Sequence, residues 1–276
     1  MPRHISSLAS MLFGRFASHS FRPSIQGFIN RSYVRLMGLD MREFSKAEDY
    51  GSLNELFTRK LEKDREFDKD ALSVISPCDS LVTERGRIEK RHAYQIKGMS
   101  YDTACLLGPE YTEQLSSLES GEYINLYLSP KDYHRYHMPF DAEVLSLTHI
   151  PGRLYPVNMP LLKYKKNLFV ENERVVIRLR DSLGKTHFIV LVGALNVGSM
   201  VVSFEKRLRT NISERRSVHF AYDEPVVLRK GELFGWFEMG STIVMLSETG
   251  SIGYSVSSGT KLSYGDTIGR LTGAEK

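Results

Sequence analysis

The first 39 residues contain no Asp or Glu, although the full chain of 276 residues carries 33 of them. Arg3, Arg15, Arg22, Arg31 and Arg35 are therefore unopposed there, and a basic, acid-free start is attracted to anionic lipid. The formal net charge of the whole is only +4, too small an excess to imply a nucleic-acid partner. Cysteine is scarce, with Cys78 and Cys105 alone. Their spacing suits neither a disulfide framework nor a metal site, which fits a reducing compartment. No apolar run reaches the roughly 18 residues of a spanning helix. The start also lacks the compact apolar segment and small-residue cleavage site of a secretory signal. Its arginines and serines are shared by organelle transit peptides, which leaves a bacterial membrane and an organelle both open. Internal repeats and low-complexity tracts are absent.

What is present divides by texture. Residues 5–21 place Ile5, Leu8, Leu12 and Phe16 on one helical face, a stripe that suits either an interfacial helix or packing on the protein's own core. Pro23 ends that helix, and a second short one is predicted over 24–38. Residues 40–52 read as a polar linker, and 52–63 as a helix with Leu53, Leu56, Phe57 and Leu61 inward. From about residue 72, short β-branched and aromatic runs alternate with Gly, Pro, Asn and Asp turns. One further helix is expected near 111–120. The pattern is α+β, with N-terminal helices followed by a mostly antiparallel β-sheet core. The boundaries are 1–50 for the helices and linker and 51–276 for the main domain.

Three segments carry reactive side chains. SPCDS (76–80) places Asp79 in a Pro-led turn, LSPKDYHRYHMPFDAEV (128–144) holds His134 and His137, and FEMGSTIVML (237–246) sets Ser241 at the head of an apolar strand. A carboxylate can orient an imidazole that takes a proton from a hydroxyl. The histidine pair has no glutamate or cysteine pair beside it, so no metal site is expected. Ser241 lacks the G-x-S-x-G elbow of a hydrolase. It follows Gly240, whose missing Cβ leaves the carbonyl open to close approach, which suits attack by Ser241 on its own preceding peptide bond. Two other readings use the same residues. One is a serine hydrolase with an Asp79–His137–Ser241 triad. The other is a non-enzymatic carrier module, because VVLRKGELFGWFEMGSTIVMLSETGSIGYSVSSGTKLSYGDTIGRL resembles a lipoyl-type sandwich. The carrier's lysine-bearing hairpin tip is absent.

The double-histidine and Gly-Ser-Thr segments resemble the signatures of the phosphatidylserine decarboxylases. SLNELFTRKL, SPCDS, KGMSY (97–101), PGRLYPVN (151–158), NERVV (172–176) and LVGALNVGSM (191–200) follow in the order of that family. The likeness covers roughly residues 52–271. Cys78 and Ser80 stand where the family commonly has small or aliphatic residues and Gly, and Met239 stands where Leu is commoner.

The resemblance implies self-cleavage at Gly240–Ser241, with Asp79 orienting His137 and His137 acting as base for Ser241. Chains 1–240 and 241–276 would result, the second headed by a covalent pyruvoyl cofactor made from Ser241. That group would form a Schiff base with phosphatidylserine, and loss of carbon dioxide would give phosphatidylethanolamine. His134 would assist decarboxylation or reprotonation. The implied setting is the cytoplasmic side of the cell membrane, held peripherally. Its partners would be the lipid and the two chains of one precursor, with a homodimer left open and no nucleic acid.

Overall fold

The computed structural model describes residues 14–96, 98–195, 199–211, 216–238 and 241–273, and for Ser241 the backbone alone. Ile5, Leu8 and Leu12 of the apolar stripe and Gly240 of the expected cleavage site lie outside these residues.

The first helical stretch, described over 14–18, stops before Pro23 is reached, with 19–22 non-helical, and Pro23 instead opens the next helix, Pro23–Met37. A proline at a helix start loses no hydrogen bond, and Gly38 closes the helix in the left-handed conformation at φ 65°. The predicted helix over 52–63 is shorter, Leu53–Phe57 with Ser52 as N-cap. It stops because Arg135 Nε donates to the carbonyls of Thr58 and Arg59, at 2.9 and 3.3 Å, and draws the chain away. The expected helix near 111–120 is a 3₁₀ turn, Pro109–Gln114, running into Leu115–Leu118. Three short helices were not anticipated: Thr103–Leu107, Met159–Tyr164 and Leu168–Glu171. Runs of four to six residues are too brief for a 3.6-residue periodicity to register.

Every ladder between named strands is antiparallel among the described residues. The largest sheet has eight strands. In spatial order they are Val218–Leu228, Ala142–Ile150, Arg174–Asp181, Thr186–Val192, Ser241–Ser247, Glu122–Leu128, Ser80–Arg87 and Lys261–Leu262. A three-stranded sheet joins Met200–Val202, Leu233–Phe237 and Arg135–His137, and another joins Ser73–Ile75, Thr267–Leu271 and Ile252–Tyr254. The fold is α+β with its core around the large sheet.

The strand Ser241–Ser247 is interior to that sheet, hydrogen-bonded on one side to Glu122–Leu128 and on the other to Thr186–Val192. Ile243, Val244, Met245 and Leu246 are buried on both faces, and each such side chain contributes about 1.5–3 kcal/mol. A cut at the first residue of this strand would leave the strand in place.

Candidate active site

Ser241 pairs with Leu128, and its neighbour Thr242 pairs with Val192, which faces Arg174 on the next strand. The loops leaving this end of the sheet are the separated motifs of the sequence. PGRLYPVN, NERVV and LVGALNVGSM meet at Asn172. Its side chain accepts from the Tyr155 N–H at 3.0 Å and donates to the carbonyls of Tyr155 and Gly193 at 3.0 and 2.8 Å. At Gly152 a Cβ would come within 2.5 Å of the Asn172 and Glu173 backbone, so only glycine fits. These residues build the floor rather than react.

After Leu128 the chain turns through Ser129–Asp132, where the Ser129 N–H and hydroxyl both donate to Asp132 Oδ2 at 2.7 Å. His134 follows, fully buried under the Phe57 ring at 4.0 Å. Its Nδ1 donates to the Asp132 carbonyl at 2.8 Å. A carbonyl can only accept, so Nδ1 carries the proton and Nε2 the lone pair. That Nε2 is buried without a hydrogen-bond partner among the described residues. Burial, aided by the Arg59 charge, pulls the His134 pKa down to about 3, and the ring is neutral.

His137 lies on the short strand Arg135–His137, pinned to Leu233–Phe237 and by its own N–H to the Pro77 carbonyl at 2.8 Å. Its Nδ1 donates to the Gly231 carbonyl at 2.9 Å, and Nε2 accepts from the Tyr133 hydroxyl at 3.1 Å. Burial lowers its pKa to about 4. His137 is therefore a neutral imidazole whose lone pair sits on Nε2, the form a general base requires.

The turn shape around Asp79 is set by the Ser76 hydroxyl, which donates to the Cys78 carbonyl at 2.7 Å, while the Cys78 thiol is buried and its pKa driven up by burial. The Asp79 carboxylate does not touch His137. It takes Arg65 on both oxygens, at 2.5 and 3.2 Å, and the Tyr264 N–H at 2.7 Å. Tyr264 makes the link to the imidazole. Its ring stacks on His137, and its hydroxyl donates at 3.1 Å to the same Gly231 carbonyl that His137 uses. Sequence reasoning missed Tyr264, Tyr133, Arg65 and Gly231. Tyr133 lies inside the double-histidine segment, whereas Tyr264 sits in the GTKLSYGDTIGRL stretch read as sandwich architecture. A tyrosine in a turn carries no chemical signature until its neighbour is known.

The chain matches the phosphatidylserine decarboxylase family over residues 53–270. It belongs to that family. A relative described as phosphatidylserine decarboxylase proenzyme, from Helicobacter pylori, is 42% identical over 268 residues, spanning 97% of this chain and 98% of the relative. A second so described, from Campylobacter jejuni, is 39% identical over 95% of this chain and 98% of its own length. A third, from Bordetella avium, is 35% identical over 83% and 79%. In this member of the decarboxylase family, Asp79 and His137 share Tyr264 as a neighbour, the His134 carbonyl accepts from the Phe237 N–H, and the Ser241 backbone pairs with Leu128. Among the described residues there is no cluster of His, Cys, Asp and Glu able to hold a metal ion. No helix there is long and apolar enough to cross a membrane.

Proposed function

We propose that this protein decarboxylates phosphatidylserine to phosphatidylethanolamine, using a pyruvoyl group that it makes from its own Ser241. The observation that carries the reading is His137. Its tautomer is held by the Gly231 carbonyl, its Nε2 faces the Tyr133 hydroxyl, and its own N–H reaches Pro77, three residues before the strand Ser80–Arg87. In the processing step His137 Nε2 removes the Ser241 hydroxyl proton, and the oxygen attacks the Gly240 carbonyl, exchanging the peptide bond for an ester. Elimination across Ser241 then releases Gly240 as a carboxylate, and water displaces ammonia from the remaining fragment. Asp79 acts through Tyr264, anchoring the backbone of the residue whose ring flanks the imidazole.

The surroundings suit such a group. Two buried polar atoms near the Ser241 strand, His134 Nε2 and Thr242 Oγ1, have no partner among the described residues. The pyruvoyl ketone supplies an electrophile for the head-group amine and a sink for the electrons that carbon dioxide leaves behind. His134 offers its Nε2 lone pair to receive a proton there, and returns it to the carbon that has lost carboxylate. The C-terminal stretch is read as a lipoyl-like sandwich supporting this strand.

The Pro23–Met37 helix supports a peripheral membrane site. Its inner side is mixed, with Tyr33 and Val34 packed on Leu53 and Leu56 beside buried amides. Its buried residues are Gln26, Gly27 and Asn30, with Asn30 donating to the carbonyls of Ala47 and Tyr50 at 2.9 Å. Ile25, Phe28 and Leu36 face outward at 49%, 65% and 83% exposure beside Arg22, Arg31 and Arg35. Apolar and basic side chains outside match a headgroup layer, not water.

Intact mass tests the reading. The purified protein is expected as two pieces, the smaller beginning at position 241 without a free amine. Ser241→Ala is expected to remain one 31.5 kDa chain that releases no carbon dioxide from phosphatidylserine. An intact wild-type chain labelled by a serine-directed phosphonate would instead favour the hydrolase. An intact chain carrying a modification would favour the carrier.

A further inference from the structure

Arg59 is 2% exposed, yet its charge has no carboxylate partner among the described residues. Its Nη2 donates to the carbonyls of Lys131 and Asp132 at 2.9 and 3.3 Å, and the guanidinium lies 4.5 Å from the Phe44 ring centre. Nε and Nη1 are buried with no acceptor among the described residues. The nearest acids are committed elsewhere, Asp79 to Arg65 and Asp132 to Ser129. Burial without an anion pushes the Arg59 pKa down. A buried cation with idle donors is costly and is expected to be paired in the working protein.

Two more idle polar atoms adjoin it. His134 shares the Asp132 carbonyl with Arg59, through Nδ1 at 2.8 Å, and its Nε2 is unpartnered. The Tyr33 hydroxyl is likewise buried with no partner among the described residues, and burial raises its pKa to about 12 while the Arg59 charge pulls the other way. The carbonyls that hold Arg59 belong to the turn immediately after Leu128, the residue paired with Ser241. Tyr33 sits on the helix whose outer side presents Phe28 and Leu36. A lipid lying along that helix would therefore have its tails on the outer side and the Arg59 cation on the inner side, separated by about one helix diameter, ~10 Å.

We propose that Arg59, with the Tyr33 hydroxyl, binds the phosphodiester of the lipid head group. The inference rests on the decarboxylase reading and specifies how that reaction holds its substrate. The head-group carboxylate is the poorer occupant. Pairing it with a cation would stabilise the ground state that must lose carbon dioxide. The phosphodiester keeps its charge from substrate to product, so an arginine on it contributes uniform binding, which sets KM and leaves kcat alone.

The test is steady-state carbon dioxide release from dihexanoyl phosphatidylserine by the self-cleaved protein. Arg59→Gln is expected to raise KM about 10- to 100-fold, the worth of a charge-assisted hydrogen bond, with kcat changed less than about threefold. Arg59→Lys should recover part of the loss, and Tyr33→Phe should raise KM by a smaller factor. An unchanged KM, or a loss confined to kcat, overturns the proposal; the second result would mean that Arg59 acts through His134 instead. Should Arg59→Gln fail to fold, the wild-type protein decides. Glycerophosphoethanolamine should inhibit it at least about tenfold more tightly than ethanolamine, and equal inhibition overturns the proposal. Wild-type protein that releases no carbon dioxide would sink the decarboxylase reading itself, a result separable from any of these.

Discussion

Tyr264 lays its ring against His137, with centroids 3.7 Å apart and planes 16° apart. Tyr264 follows Ser241 in the chain and His137 precedes it, so the proposed cleavage would make this a contact between two fragments. The proposed base would thus be positioned by the piece that it releases. Tyr264→Ala is expected to slow self-cleavage about 10- to 100-fold, since loss of orientation costs a base much of its effect. Tyr264→Phe, which keeps the stack and the backbone bond to Asp79, should slow it less than about fivefold. The time course of conversion from one band to two on a denaturing gel measures both.

A second Asp, His, Ser arrangement lies at the far end of the same strand, and it is expected to be inert. His187 Nε2 meets Asp181 Oδ2 at 2.9 Å and Nδ1 meets the Ser247 hydroxyl at 3.0 Å. Ser247 is fully buried and His187 1% exposed, so no substrate reaches them. Ser247→Ala should leave carbon dioxide release unchanged and cost about 1–3 kcal/mol in denaturant unfolding. A phosphonate probe should leave Ser247 unlabelled.

Acid should weaken the fold through the two site histidines. Burial holds His137 near 4 and His134 near 3 in the folded chain, against about 6.5 when unfolded. Between those values the unfolded chain binds more protons. The stabilisation is complete above about pH 6.5 and is lost progressively as pH falls below it, the loss ending near 4 for His137 and near 3 for His134. Denaturant midpoints at pH 7 and pH 5 should differ in that direction, by about 2 kcal/mol for each histidine. A His134→Gln variant should lose its share of the difference.

The Pro23–Met37 helix is expected to govern membrane contact. Phe28→Glu combined with Leu36→Glu changes only outward positions, 65% and 83% exposed, so thermal stability should hold within about 0.5 kcal/mol. Flotation with anionic liposomes should fall at least about tenfold, because two apolar anchors are lost and two repelled charges gained. Unchanged flotation would remove this helix from the membrane contact.

Much of this was legible in the chain. The strands over 122–128, 142–150, 174–181, 186–192 and 241–247 were visible as β-branched, turn-bounded runs, because strand burial is written in local composition. His134 and His137 alone read more often as structural, and they stood out through the resemblance of the whole segment LSPKDYHRYHMPFDAEV. The short helix at Met159–Tyr164 was not legible, since it is held by Gln95 donating to the carbonyls of Leu162 and Lys165 at 2.7 and 2.8 Å, a contact made across 70 residues of chain. Arg59 read only as part of a motif, because nothing local says that its charge goes unpaired.

By itself the sequence determined which groups exist to react: a glycine before a serine, two imidazoles, a carboxylate in a turn, and an acid-free start. Those are matters of covalent order and local propensity. Only the tertiary structure decided who touches whom. It gave the Asp79 carboxylate to Arg65 and Tyr264 rather than to His137, chose the tautomer of both histidines by placing one carbonyl beside each, and buried a guanidinium without an anion. Hydrogen-bond partners and desolvation depend on distances through space, and a linear order of residues does not contain them.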